Sequence, residues 1–262
     1  MKKYEIQKNK MFLVDSEIDL DLQCEFALPL LDEKKADIQK ESFSTYQLRY
    51  LKKDKVLHGE HHMLYPSGKL KHKCFYFEGK LHGPSRFYSE DEKLLSESWF
   101  VLGKKQGQTL QYYQTGKLYC KIFFKNGLKE GLHQYFYDDE TLKTQMPFVN
   151  GKLHGKVMLF WPNKQIKREL FFQNGKRHGW DRIYNEKAVL IDEGKYEEDN
   201  PKGLHRLWTD EGKLKEDTIY DTEYTQWKKY NDQEEFVYEK VISSDMSFEK
   251  EMENGAWIKR IL

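Results

Sequence analysis

A glycine recurs every 24 residues along most of this chain: Gly59, Gly83, Gly107, Gly131, Gly155, Gly179 and Gly203. A fixed period of this size is the signature of a repeat architecture, in which one unit alone cannot bury its apolar surface. Two further glycine registers ride on the first. Gly79, Gly103, Gly127, Gly151 and Gly175 fall four residues before a repeat glycine, and Gly68, Gly116 and Gly212 fall nine after one. The three registers hold 15 of the 17 glycines, so glycine here serves position rather than composition.

Apolar residues keep the same period. Five residues after the glycine stand Leu64, Tyr88, Tyr112, Phe136, Phe160, Tyr184 and Trp208. Eleven after stand Leu70, Leu94, Leu118, Leu142, Ile166, Leu190 and Leu214. Seventeen after stand Tyr76, Phe100, Phe124, Phe148, Phe172, Tyr196 and Tyr220, all aromatic. These registers are expected to be the buried ladders of one continuous core.

Each repeat reads as two strands. In the third, 108–113 is one strand, Gln114-Thr115-Gly116-Lys117 is a turn, and 118–124 is the next strand. Asn126-Gly127 follows, and the pair recurs as Asn150-Gly151 and Asn174-Gly175. Asn-Gly between apolar runs signals a type I′ hairpin turn, because both residues tolerate positive φ. Pro66 and Pro162 fall at the opposite turn, where a missing amide donor is harmless. A 24-residue unit leaves no room for a helix, and parallel strands need long crossovers. The expected fold is all-β: an elongated antiparallel β-meander of stacked hairpins, each burying its aromatic residues on the next.

The repeat divides the chain. Residues 1–42 stand outside it as an N-terminal extension or cap, with one or two strands and a charged connector of helical character around 32–40. Residues 43–226 form the array, opened by a half-repeat strand at 43–53 whose Tyr46, Leu48 and Tyr50 alternate with polar residues. One period past Gly203 the chain carries Trp227 instead of glycine. Residues 227–262 are expected to form capping strands, one at 234–242 and a last hairpin around Asn254-Gly255, as terminal repeats are atypical.

Charged residues make up 33% of the chain and aromatics 15%, a composition opposed to disorder and suited to wetted β-structure. Cys24, Cys74 and Cys120 form no CxxC pattern, and their odd number points to free thiols in a reducing compartment. The apolar stretch at 11–14 is too short for a signal peptide. The expected location is cytoplasmic.

The segments 79–83 and 151–155, both Gly-Lys-Leu-His-Gly, and Asn174-Gly175-Lys176-Arg177-His178-Gly179 resemble the MORN repeat. The aromatic pairs before them, Phe123-Phe124 and Phe171-Phe172, resemble the variant form common in bacteria, which carries the YwqK-like antitoxin label. Seven consecutive units over about 50–220 share the pattern, with Gln106 and Glu130 in place of the histidine and Asn200-Pro201-Lys202 in the last unit. The resemblance implies a non-catalytic scaffold for protein–protein interaction. It also implies two alternatives: an antitoxin-like protein masking a partner enzyme, and an adaptor on anionic lipid.

The residues themselves point to no catalytic group, cofactor or metal. His58, His82, His154 and His178 recur two strands apart, roughly 9.6 Å at ~4.8 Å per strand. Zinc bonds of ~2.0 Å do not bridge that gap, so these are read as turn histidines bonded to nearby backbone. His61 and His62 point to opposite faces and are expected at the surface. Cys74 and Cys120 read as packing residues. Nucleophile-elbow and phosphate-loop motifs are absent, and nothing points to sequence-specific nucleic-acid binding.

Charge is more informative. Residues 100–182 hold 15 Lys+Arg against 6 Asp+Glu, and residues 183–253 hold 10 against 20. A basic middle suits an anionic partner, or a second copy paired head to tail. The candidate binding residues are Lys104, Lys105, Lys125, Lys129, Lys152, Lys176 and Arg177, which come from the same turn in successive repeats. Their field is expected to fade where Glu197, Glu198 and Asp199 take over that turn.

Overall fold

The structure, a computed structural model, describes residues 3–7, 10–14, 25–27 and 37–262, with side chains from residue 39. Every regular element among them is a strand. A small antiparallel sheet comprises β1 (Lys3–Gln7), β2 (Lys10–Val14) and β3 (Glu25–Ala27). Cys24, the alternating run at 18–22 and residues 32–36 lie outside the described residues. The rest of the connector is not helical. Residues 37–40 belong to β4 (Asp37–Ser42), which pairs with β5 (Gln47–Lys53) from Asp37↔Lys52 to Ser42↔Gln47. The expected strand at 43–53 is therefore shorter. Phe43 and Tyr46 close the turn between β4 and β5, with rings stacked at 4.6 Å and a Phe43 N–H bond to the Tyr46 carbonyl.

The chain packs as two compact units, 1–140 and 141–262. Both are built from the same antiparallel hairpins, and each hairpin follows the expected boundaries to within about a residue: Gly107–Tyr112 pairs with Leu118–Lys125, and Gly155–Phe160 with Ile166–Gln173. The repeat glycine sits where the returning strand is bulged. Phe172 pairs with Arg177 and Leu170 with Asp181, so Phe171 faces the three residues 178–180. Gly179 takes φ 96° there, a conformation costly for other residues. At the Asn-Gly turns both residues have positive φ, 52° and 85° at Asn126-Gly127, as type I′ geometry requires. The C-terminal hairpin closes the same way, with Ser247–Glu253 paired to Ala256–Ile261 around Asn254-Gly255.

The opposite turn is a tight loop with one left-handed residue, nine after the repeat glycine. Gly68, Gly116 and Gly212 fill it at φ 84°, 89° and 86°, but so do Glu92, Lys164 and Ala188 at 63°, 69° and 61°. Here geometry, not residue type, is what repeats. Side chains stitch this edge from one repeat to the next. Tyr65 Oη donates to the Tyr88 carbonyl at 2.9 Å, Tyr113 Oη to that of Phe136 at 2.8 Å, and Trp161 Nε1 to that of Tyr184 at 3.0 Å.

The aromatic registers are not fully buried. Of the seven residues seventeen after each glycine, only Phe148 is buried and the rest are half-buried. The members five and eleven after the glycine are half-buried throughout. Strands contact their neighbours in the sheet, so a side chain is screened by adjacent rungs rather than by a facing layer. The most buried register lies two residues after the glycine: Ser85, Thr109 and His133 in the first unit, Val157 and Asp181 in the second. Its cross-strand partners include Leu170, Gly194 and Thr218, all buried. This row runs along the middle of one face, where shorter groups lie between longer neighbours. Its polar members are paired, as in the Thr109 Oγ1 bond to Ser98 Oγ at 3.1 Å.

Two outcomes follow from this burial and geometry. Phe148→Ala is expected to cost about 3–5 kcal/mol, the range for a buried Phe, and Phe124→Ala clearly less, as read from urea midpoints. Ala188→Gly should stabilise the protein by about 0.5–1 kcal/mol. Relief of ~1–2 kcal/mol of left-handed strain is partly offset by the added backbone freedom of the unfolded chain. A lowered midpoint for Ala188→Gly would contradict that account.

Candidate functional site

The turns of the Asn-Gly register, filled in the first unit by Glu78-Gly79, Leu102-Gly103 and Asn126-Gly127, lie one on another along an edge of each unit. In the first unit the Gly79 N–H donates to the Leu57 carbonyl at 2.8 Å, Gly103 to Leu81 at 2.7 Å, and Gly127 to Lys105 at 2.8 Å. In the second, Gly175 donates to Leu153 at 2.8 Å and Asp199 to Arg177 at 3.1 Å. The turn histidines serve this stack. The N–H of Glu78 reaches His58 Nδ1 at 3.4 Å, that of Leu102 reaches His82 Nδ1 at 3.4 Å, and that of Asn174 reaches His154 Nδ1 at 3.5 Å. Gln106, standing where a histidine is usual, accepts from the Asn126 N–H at 2.7 Å. Each side chain presents an acceptor to the first amide of the following turn, so these histidines are structural.

The seven candidate basic residues divide between the units. Lys104, Lys105, Lys125 and Lys129 belong to the first. Lys104 and Lys125 are exposed, Lys105 and Lys129 are half-buried, and the Lys105 ammonium lies 5.0 Å from the Phe124 ring centre. Lys152, Lys176 and Arg177 belong to the second. There Lys176 Nζ meets Glu198 at 2.8 Å, Arg177 Nε lies 3.6 Å from Asp199, and Lys202 pairs with Glu197. Glu198 and Asp199, read in sequence as residues that weaken the field, thus pair directly with two of the candidates. Lys152, Lys176, His178, Glu198 and Lys202 line an open cleft of about 970 Å³ at this edge.

Histidines and cysteines outside the turns are held in packing. His61 is half-buried rather than at the surface, stacked on Tyr50 at 5.7 Å and edge-on to Tyr76 at 5.7 Å. His62, on the opposite face, lies 3.0 Å from Glu60. That bond and Lys73 at 3.0 Å hold the Glu60 carboxyl down at about 2. His72 contacts Ser85 Oγ at 2.8 Å and stacks on Phe87 at 3.8 Å. Burial pushes the Cys74 thiol up to about 12 and that of Cys120 up to about 11. Neither is a thiolate near neutrality.

One cluster escaped the sequence reading. In the second unit Arg168 grips Asp181 with two bonds of 2.8 and 2.7 Å. Asp192 lies half-buried on the same face. Burial first, then the charge of Asp181, raises its carboxyl above the usual range. His205 covers Gly194 and bonds the Lys195 carbonyl at 2.8 Å, and a Cβ on Gly194 would come within 2.2 Å of its ring. Gly194 lies outside all three glycine registers, and that was the available signal.

Comparison with known proteins agrees with the repeat geometry. The family described as MORN repeat variant matches residues 105–126, 129–150 and 153–174, three consecutive units spanning the third to the fifth repeat glycine. No curated protein matches the chain. Among solved structures, a mutant of S. aureus TarM in complex with fondaparinux, alpha-GlcNAc-glycerol and UDP aligns at 14% identity with a TM-score of 0.26. That alignment covers 37% of this chain and 19% of the other, and at this similarity it bears on neither fold nor activity.

The buried histidines make the first unit acid-sensitive. Burial pushes His61, His82 and His133 below the ordinary value of 6.5 and His72 down to about 4. Below 6.5 the unfolded chain takes up protons that the folded unit refuses, so stability is full above that pH and falls toward about pH 4. Urea midpoints are expected to drop between about pH 7 and pH 5, and His72→Gln should flatten the slope. An unchanged slope would remove His72 as a cause.

Proposed function

We propose that this chain is a non-catalytic scaffold that holds a protein partner against its turn edges. The observation that carries the reading is how the chemically versatile groups are used. His58, His82 and His154 accept turn amides, His133 and His205 bond backbone carbonyls, and both described thiols are buried. What varies between repeats is the charge at the turns, and charge placed on a regular backbone selects partners by complementarity. The likeness to MORN-variant repeats supports the same reading. A reducing, cytoplasmic setting agrees with two free cysteines in a chain of this kind.

The test is chromatography of the tagged chain with extract of its native host, followed by mass spectrometry. One protein recovered at a fixed stoichiometry is the expected result, and loss of that partner at high salt is expected if the turn lysines hold it. If the partner is an enzyme silenced in the complex, the chain is an antitoxin-like mask. If the chain sediments with anionic vesicles and no protein is recovered, the lipid-adaptor reading replaces the scaffold.

A further inference from the structure

The two turn edges share one backbone and differ in what they expose. In the first unit, Lys53, Lys55, Lys80, Lys104 and Lys125 are exposed at four successive turns, and none has an ion pair among the described residues. Asp54, Glu78 and Glu130 are the acids at these turns. Between the lysines stand aliphatic side chains turned to water: Val56 at 44% exposure, Leu102 at 50% and Leu128 at 52%. In the second unit the same turns hold Asn150, Asn174 and Glu198; Lys152 is exposed there, while Lys176 meets Glu198 and Arg177 lies beside Asp199.

We propose that the turn edge of the first unit docks an acidic protein segment in which carboxylates and apolar residues take turns at every second position. This rests on the scaffold reading and names the chemistry of its partner. Lysines at equivalent turns are two strands apart, roughly 10 Å at ~4.8 Å per strand. That is near the ~8 Å screening length at physiological salt, so neighbouring turns reinforce one field. All five are lysines, which act as point charges and do not demand the planar bidentate geometry suited to arginine. The aliphatic groups decide between partners. A phosphate backbone offers nothing apolar to Val56, Leu102 and Leu128, whereas an extended peptide with an acid and an apolar residue two positions apart presents both on one face, since every second side chain of a strand points the same way. An edge strand or loop carrying such a sequence satisfies both kinds of group.

The probe is a fluorescein-labelled (Asp-Ser-Leu-Ser)4 peptide, with (Asp-Ser-Ser-Ser)4 and inorganic polyphosphate beside it, read by anisotropy on the full chain at about 50 and about 300 mM salt. Binding of (Asp-Ser-Leu-Ser)4 is expected to exceed that of (Asp-Ser-Ser-Ser)4 and to weaken with salt. Lys80→Glu, Lys104→Glu and Lys125→Glu together should weaken it about tenfold or more. Reversal of the exposed Lys164, Lys187 and Lys215 in the second unit should leave it unchanged. Leu102→Ser with Leu128→Ser should weaken (Asp-Ser-Leu-Ser)4 and spare (Asp-Ser-Ser-Ser)4. These residues are exposed, and circular dichroism confirms that each variant is folded. Equal binding before and after the edge reversal overturns the proposal. So does polyphosphate that outcompetes the peptide and ignores the Leu→Ser changes. Failure of the scaffold reading shows differently, as no stoichiometric protein in the chromatography.

Discussion

The structure depends on one backbone bond: the glycine N–H of a turn between repeats donating to a carbonyl two residues before the preceding repeat glycine, at 2.7 to 2.8 Å for Gly79, Gly103, Gly127 and Gly175. Sheets of this kind bury little, since strands are covered by neighbouring rungs and few side chains are fully enclosed. Stability is then approximately a sum of intrinsic repeat terms and nearest-neighbour interfaces. The turn bond fixes one edge of each interface, and the Tyr65, Tyr113 and Trp161 bonds fix the other. Between these clamps the bulge at the repeat glycine gives the returning strand the extra residue that keeps its side chains in register with the next repeat.

The same constraint explains why the motif tolerates departures. In four repeats the residue before the repeat glycine presents an acceptor to the next turn's first amide. His58, His82 and His154 do so with Nδ1, and Gln106 with its amide oxygen. Farther along, the Arg177 N–H bonds the Asp199 carboxylate at 2.8 Å, a different solution at the same edge. A requirement met by several side chains leaves an irregular trace in sequence while the backbone repeats faithfully. The left-handed residue nine after the glycine behaves alike, held by Glu92, Lys164 and Ala188 as well as by glycine.

Turns and strand boundaries were legible because glycine and Asn-Gly report backbone conformation directly. The position of the core was not. The ladders seventeen after each glycine are chemically uniform and catch the eye, yet burial is deepest two after it, where Ser85, Thr109, His133, Val157 and Asp181 share no property except a central place. The connector around 32–40 read as helical from its charges, but the run 37–42 pairs strand to strand with 47–52, and tertiary pairing overrides so short a local preference. For the candidate site, the lysines and the opposing Glu198 and Asp199 could be placed from the period alone. The exposure of Val56, Leu102 and Leu128 could not, since aliphatic residues beside a strand look like core until the turn is built. The Gly194–His205 contact depends on two strands meeting, which no single-strand pattern encodes.

Recognition on such a scaffold is therefore a question of what the turns carry. Side chains at the strand centres are committed to cross-strand pairs, as with Glu193 between Arg182 at 3.1 Å and Arg206 at 3.8 Å. Changing one of them leaves a half-buried charge without its partner, which is costly. The turn residues carry no such obligation, because their backbone already satisfies the stack. The period then sets where each turn side chain stands, at steps of two strands, and the side chain sets only its sign and polarity. Two edges with one geometry and different charge, Lys80, Lys104 and Lys125 exposed in the first unit and Lys176 and Arg177 held by Glu198 and Asp199 in the second, are what that separation of backbone from surface permits.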